Sequence, residues 1–180
     1  MRTILLLLIC ISGSAKPFYK CQGGKVRFTS VQTLETIKAV NSQLRGIIDA
    51  ENGQFHFVVP MAQFEGFNSP LQKEHFNENY IETHRHPDAS FRGHIIESLT
   101  WETPAKLSVR AKGDFTVHGL TKDMLLLVDV QIISAVEIRI HCKFQLSLND
   151  FGIKIPRMVH KKLAELIEVE VDCSLIKSKT

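Results

Sequence analysis

Four histidines, His75, His84, His86 and His94, fall in one short stretch together with Glu74, Glu78 and Glu82. Imidazole and carboxylate are the usual zinc ligands, so the chemistry on offer is metal binding. In an extended segment His84 and His86 would share one side, and with His75 they would make a ligand set for a small metal-dependent enzyme or sensor. Pro87, however, favours a turn over a strand there. His75 and Asn79 have the spacing that shares a helix face, yet Asn is a poor partner for zinc. The plainer reading is that these histidines sit in a surface loop or at a rim, without metal. His75 and Asn79 would then either satisfy loop amides and carbonyls or face the polar head of a ligand.

The rest of the chain offers little to catalysis. It has no Gly-x-Ser-x-Gly elbow, no His-Glu-x-x-His helix and no phosphate-binding glycine loop. Glu168 and Glu170 share the outer face of an alternating segment and read as solvated charge. The expectation is a protein that is not an enzyme and needs no cofactor. A formal charge of +3, spread along 180 residues, gives no basic patch for nucleic acid. Three cysteines, Cys21, Cys142 and Cys173, lie beyond the N-terminal segment, none in a C-x-x-C pair. One disulfide with one thiol, or three thiols, are both open, and buried thiols are the favoured reading.

The elements that must hold these residues are mostly strands. Over residues 136–148 one face carries Val136, Ile138, Ile140, Cys142, Phe144, Leu146 and Leu148, against Glu137, Arg139, His141 and Lys143 on the other. Period-two alternation of this kind marks a strand with one buried face. Residues 107–112 and 167–175 repeat it, and shorter strands are expected at 25–30, 46–50, 54–59, 89–96, 115–117 and 124–132. Asn52-Gly53 signals one hairpin, and the segment 118–122 a second. Helical spacing appears at 33–44, at 70–80 with Ser69 as N-cap and Pro70 behind it, and at 158–167.

Arg2, the apolar run 4–11 and the small residues Gly13 and Ala15 have the form of a signal peptide, 1–15, cleaved after Ala15. A lipoprotein reading would use Cys10, but Ile9 stands where a small residue is wanted. No stretch reaches the about 20 apolar residues of a membrane span. The expected product is one domain, 16–180, in a periplasmic or secreted setting.

Many short antiparallel strands with two or three short helices point to an all-β closed barrel or sandwich. A barrel of about eight strands can enclose one small ligand. The inward faces would present Phe55, Phe57, Val59, Phe91, Ile95, Leu107, Val109, Ile140, Phe144 and Val171, which suit a hydrocarbon chain. Burying about 500 Å² of such a chain would gain on the order of 12 kcal/mol before the costs of association. The competing reading is that these side chains simply fill the barrel, leaving an interaction module without ligand. A homodimer is compatible with either.

Three separated motifs carry a family resemblance: Leu71-Gln72-Lys73-Glu74-His75-Phe76-Asn77-Glu78-Asn79-Tyr80 with His86-Pro87, Ala89, Phe91 and Gly93; Gly113 to Lys122, with Val117-His118-Gly119 at its centre; and Asp150-Phe151-Gly152-Ile153. In order and spacing they resemble the exported YceI-like lipid-binding proteins, in the branch common in Bacteroidetes-type bacteria. The resemblance implies a lipocalin-like, eight-stranded antiparallel barrel with a helix near the lid. It also implies a polyisoprenoid or other long-chain lipid held along the barrel axis.

Overall fold

Alternating burial runs the length of nearly every strand in this protein, described by a computed structural model over residues 18–156 and 161–178. The strands are β1 (Phe18–Val31), β2 (Thr36–Asp49), β3 (Gln54–Pro60), β4 (Asp88–Ile95), β5 (Ala105–Val117), β6 (Leu120–Ser134), β7 (Glu137–Ser147) and β8 (Leu166–Lys177). Each pairs antiparallel with its neighbour in sequence, and β1 pairs with β8, so the sheet closes into an eight-stranded barrel. Closure gives every strand two partners and removes the exposed edges that an open sheet would present. In β7, Ile138, Cys142 and Leu146 are buried while Arg139, Lys143 and Gln145 are exposed. The expected signal segment lies outside the described residues. Among the described residues no helix is long and apolar enough to cross a membrane.

The two hairpin signals resolve into tight turns. Gly53, at a φ of 71°, returns its amide to the Asp49 carbonyl at 2.8 Å between β2 and β3. Between β5 and β6 the turn contracts to His118 and Gly119, both left-handed at φ 51° and 72°. Two successive positive φ values suit the right-handed twist of the flanking strands. Gly46 serves a different need: a Cβ there would come within 2.1 Å of the Phe57 ring, which lies across the paired strand.

The helical expectations fare unevenly. The segment at 70–80 is helical as α1 (Pro70–His75), continued by a π-helical turn at Phe76–Tyr80, and Ser69 Oγ accepts the Gln72 amide as N-cap. Short 3-10 turns at Met61–Gln63 and Asn149–Phe151 complete the set among the described residues. Residues 33–44, expected as a helix, belong instead to the turn before β2 and to β2 itself. There Ile37, Ala39 and Asn41 are buried in strict alternation, and Asn41 is held inside by bonds from its Nδ2 to the Pro60 carbonyl and from the Gln43 amide to its Oδ1. The helix expected at 158–167 falls partly on residues 157–160, outside the described residues. Lys161 and Lys162 form a turn and β8 starts at Leu166.

Of the two cysteine alternatives, the barrel seam takes one disulfide with one thiol, not the favoured three thiols. Cys21 and Cys173 form a disulfide with a Cα–Cα separation of 6.4 Å, and Cys142 is a buried free thiol. Pairing of β1 with β8 breaks between Lys20 and Lys25, and the disulfide spans that break. Above it Arg27 pairs with Glu170 at 3.0 Å and with Asp172, while His141 Nδ1 lies 2.9 Å from Asp172. The Arg27 guanidinium holds the Glu170 carboxyl below its ordinary range.

Closing a loop of 152 residues removes denatured-state entropy worth about 5 kcal/mol in the chain-entropy account. The C21S/C173S double variant should therefore unfold at clearly lower denaturant than the parent. Equilibrium urea titrations with and without reductant check this; a midpoint indifferent to reductant would contradict the bridge.

Candidate functional site: an apolar cavity along the barrel axis

Ten of the eleven phenylalanines belong to two ring assemblies inside the barrel or under its lid, since only Phe18 stands apart. At one end, which receives the 61–87 segment and the His118-Gly119 turn, Phe28 meets Phe64 at 5.5 Å and Phe67 at 5.9 Å and stacks on Phe76 at 5.6 Å. The second assembly runs across the barrel as Phe57, Phe55, Phe91, Phe115 and Phe144, with Phe151 attached to Phe115 at 5.6 Å. Contacts of this kind favour tilted and edge-on rings and hold their geometry without polar partners.

At the opposite end Tyr19 and Trp101 pack at 5.7 Å. Tyr19 is fully buried, and its hydroxyl donates to the Ala135 carbonyl at 2.9 Å. Burial pushes the Tyr19 phenol up, with Glu102 adding to the effect. This bonded tyrosine fixes the loop between β6 and β7 against the loop between β4 and β5 and closes the floor.

Between floor and lid lies a cavity of about 210 Å³. Its wall takes residues from all eight strands, among them Val26, Ile48, Val59, Val109, Val130 and Val169. Tyr80 borders it at the lid end, while Ser90, between the inward Ala89 and Phe91 of β4, lends it little beyond backbone. Burial raises the Tyr80 phenol as well. A wall of this composition offers a ligand dispersion and desolvation, with almost no hydrogen bonding.

Nine of the residues expected to face inward line this cavity: Phe55, Phe57, Val59, Phe91, Ile95, Val109, Ile140, Phe144 and Val171. Leu107 does not. It is half-buried against the core and borders a polar groove with Lys106, Ser108 and Asp129. His75 and Asn79 also lie outside the lining; both are exposed, and Asn79 Nδ2 is 2.8 Å from His75 Nδ1. Their shared helix face is spent on each other. Neither His75 nor His84 enters a close group of metal-ligating atoms among the described residues; His86 does, with Glu82 and His118.

Sequence reasoning missed the lid and floor. Met61, Phe64, Phe76, Ile81, Trp101, Ile153 and Leu163 all line the cavity from outside the strands. Period-two alternation cannot reveal them, because they reach the axis through loops. Cys142 also lines the wall, with its Sγ directed to the Leu127 carbonyl at 3.3 Å. Burial, seconded by the charge of Asp129, pushes this thiol up to about 11.

A thiol so poised is almost wholly protonated at pH 8 and unreactive. Iodoacetamide should leave Cys142 unmodified in the folded protein and label it after unfolding, as read by intact mass. Rapid labelling of the native protein at pH 8 would contradict the placement.

Comparison with known proteins agrees with the architecture. A polyisoprenoid binding domain from Saccharophagus degradans, implicated in plant cell wall breakdown, superposes with a TM-score of 0.77 at 12% identity, covering 91% of this chain and 100% of that one. Burkholderia cenocepacia BcnA gives 0.69 at 12% identity over 84% and 95%. A Campylobacter jejuni YCEI protein gives 0.53 at 11% over 85% and 82%. These likenesses show a shared fold. No curated protein matches the chain. The model of the YceI-like domain matches residues 20–175, nearly the whole barrel, and on that match the chain belongs to the YceI-like family.

Proposed function

We propose that this protein is an exported, non-enzymatic carrier of a long-chain apolar lipid, polyisoprenoid-like in its chain, held along the barrel axis. The observation that carries this reading is the cavity itself. An empty apolar space costs stability at about 24 cal/mol per Å³, or about 5 kcal/mol for 210 Å³. A barrel selected only for packing would fill that space with larger side chains. Ala89 and Ala111, two small residues in the wall, keep it open instead.

The cavity is smaller than the roughly 300–1,000 Å³ of pockets that enclose drug-sized ligands. A long chain would therefore enter by turning aside rings such as Phe57, Phe91 and Phe144, which are only partly buried. Tyr80, in the wall at the lid end, supports an orientation with any polar end of the ligand toward the lid. The polyisoprenoid-binding character of the Saccharophagus degradans neighbour supports an isoprenoid-like chain as the ligand class. The Cys21–Cys173 bridge supports an oxidising compartment, periplasmic or secreted, in keeping with the N-terminal sequence.

Filling the cavity tests the reading. Ala111→Phe projects a ring into the space, whereas the neighbouring Lys112 is exposed. Titration with a fluorescent polyene hydrocarbon should show binding to the parent and to K112A, with affinity reduced at least about tenfold in A111F, circular dichroism confirming that the variant is folded. Equal binding to A111F would place the probe outside the barrel and remove the basis for a carrier.

A further inference from the structure

Two of the motifs noted above meet at the lid end of the barrel in a way that lipid binding leaves unused. Glu82 follows the π-helical turn, His86 precedes Pro87 and β4, and His118 opens the β5–β6 turn. Their ligating atoms all lie within 4.8 Å of one another. His118 Nε2 is 3.8 Å from Glu82 Oε2, and the His86 and His118 rings meet at 5.0 Å, tilted by 73°. All three side chains are half-buried.

The second coordination sphere is also in place. His118 Nδ1 lies 2.9 Å from the Phe151 carbonyl. That oxygen can only accept, so Nδ1 carries the hydrogen and the Nε2 lone pair of the neutral ring is directed toward Glu82. An imidazole anchored through its other nitrogen to a backbone carbonyl is the usual state of a metal-ligating histidine. Backbone geometry points to the same spot. Glu82 and His118, each at φ 51°, are the non-glycine residues in left-handed conformation among the described residues, and both belong to this group. Such conformations cost stability and persist where surrounding structure enforces them. Gly119 completes the cradle, since a Cβ there would come within 2.5 Å of the His86 ring.

From this geometry we infer that Glu82, His86 and His118 bind one divalent transition-metal ion, zinc being the ion best suited to two imidazoles and a carboxylate, with the remaining positions taken by water. Arg85 pairs with Glu82 at 2.8 Å from a side chain mostly in solvent, an exposed pair of little strength against which an ion would compete. In the other close group among the described residues, His141 with Glu170 and Asp172, one less exposed guanidinium, Arg27, already engages both carboxylates. An ion at Glu82, His86 and His118 ties the lid segment to the β5–β6 turn. Through Phe151 it also reaches the connection between β7 and β8.

The test is calorimetric titration of the chelator-treated, untagged protein with zinc chloride, paired with thermal melts. The parent should take up one ion and melt at higher temperature with zinc. H86A and E82Q should lose at least the roughly 10–100-fold in affinity that removal of an outer-shell partner costs, together with the thermal shift. H75A and H84A, whose side chains are exposed and outside the group, should bind as the parent does. No saturable uptake by the parent, or uptake that survives in H86A and E82Q, would overturn the assignment. So would uptake that fails in H84A.

Discussion

Closure of the sheet between the first and last strands is the constraint from which everything else follows. Until β1 meets β8, no strand alternation can define an interior, because an open sheet of this length has two edges and no enclosed axis. The ladder at this seam is interrupted between Lys20 and Lys25. The chain reinforces it covalently with Cys21–Cys173 and, above the break, with Arg27 gripping Glu170 and Asp172. Gly24 fits into a crowded irregularity of β1 beside the bridge, where a Cβ would press within 2.8 Å of the Cys21 sulfur.

That reinforcement bears on the cavity. A void of 210 Å³ lined by apolar groups destabilises the empty barrel by an amount comparable to what the bridge contributes. The two features make sense together: a covalent seam lets the barrel stand with its interior incompletely filled. Bonded Tyr19 shuts one end, and the Phe28, Phe64, Phe67 and Phe76 rings form an apolar lid at the other. The lid is held by those ring contacts and by polar bonds back to β2 and the turn before it, from Asn68 and Gln72 to Glu35 and between the backbones of Val40 and Glu65.

Much of this was legible in the sequence, and the parts that were not have physical reasons. Strands such as β7 and β8 declare themselves because nearly every inward position is apolar and most outward positions are polar. β2 did not, because Asn41 occupies an inward position and bonds to Pro60 and Gln43, which breaks the hydrophobic alternation and leaves Leu34, Ile37 and Val40 at a misleading helical spacing. The disulfide joins residues 152 positions apart, which meet only because the barrel closes. His86 was noticed beside His84, its neighbour in sequence, whereas its partner in space is His118 on another hairpin. Leu107 obeys the alternation of β5 yet lies beside the polar groove, a distinction of height along the axis that periodicity does not encode.

The YceI-like family and the barrel fold rest on the whole-domain match and on the superposed structures; the occupant of the cavity rests on its lining. The most direct test of that occupant is mass spectrometry of an organic extract of the protein, purified natively from its source. The account predicts a long-chain, isoprenoid-like lipid at about one molecule per barrel. An extract that is empty, and stays empty after the protein is offered total membrane lipid, would contradict it and leave a barrel that binds no chain.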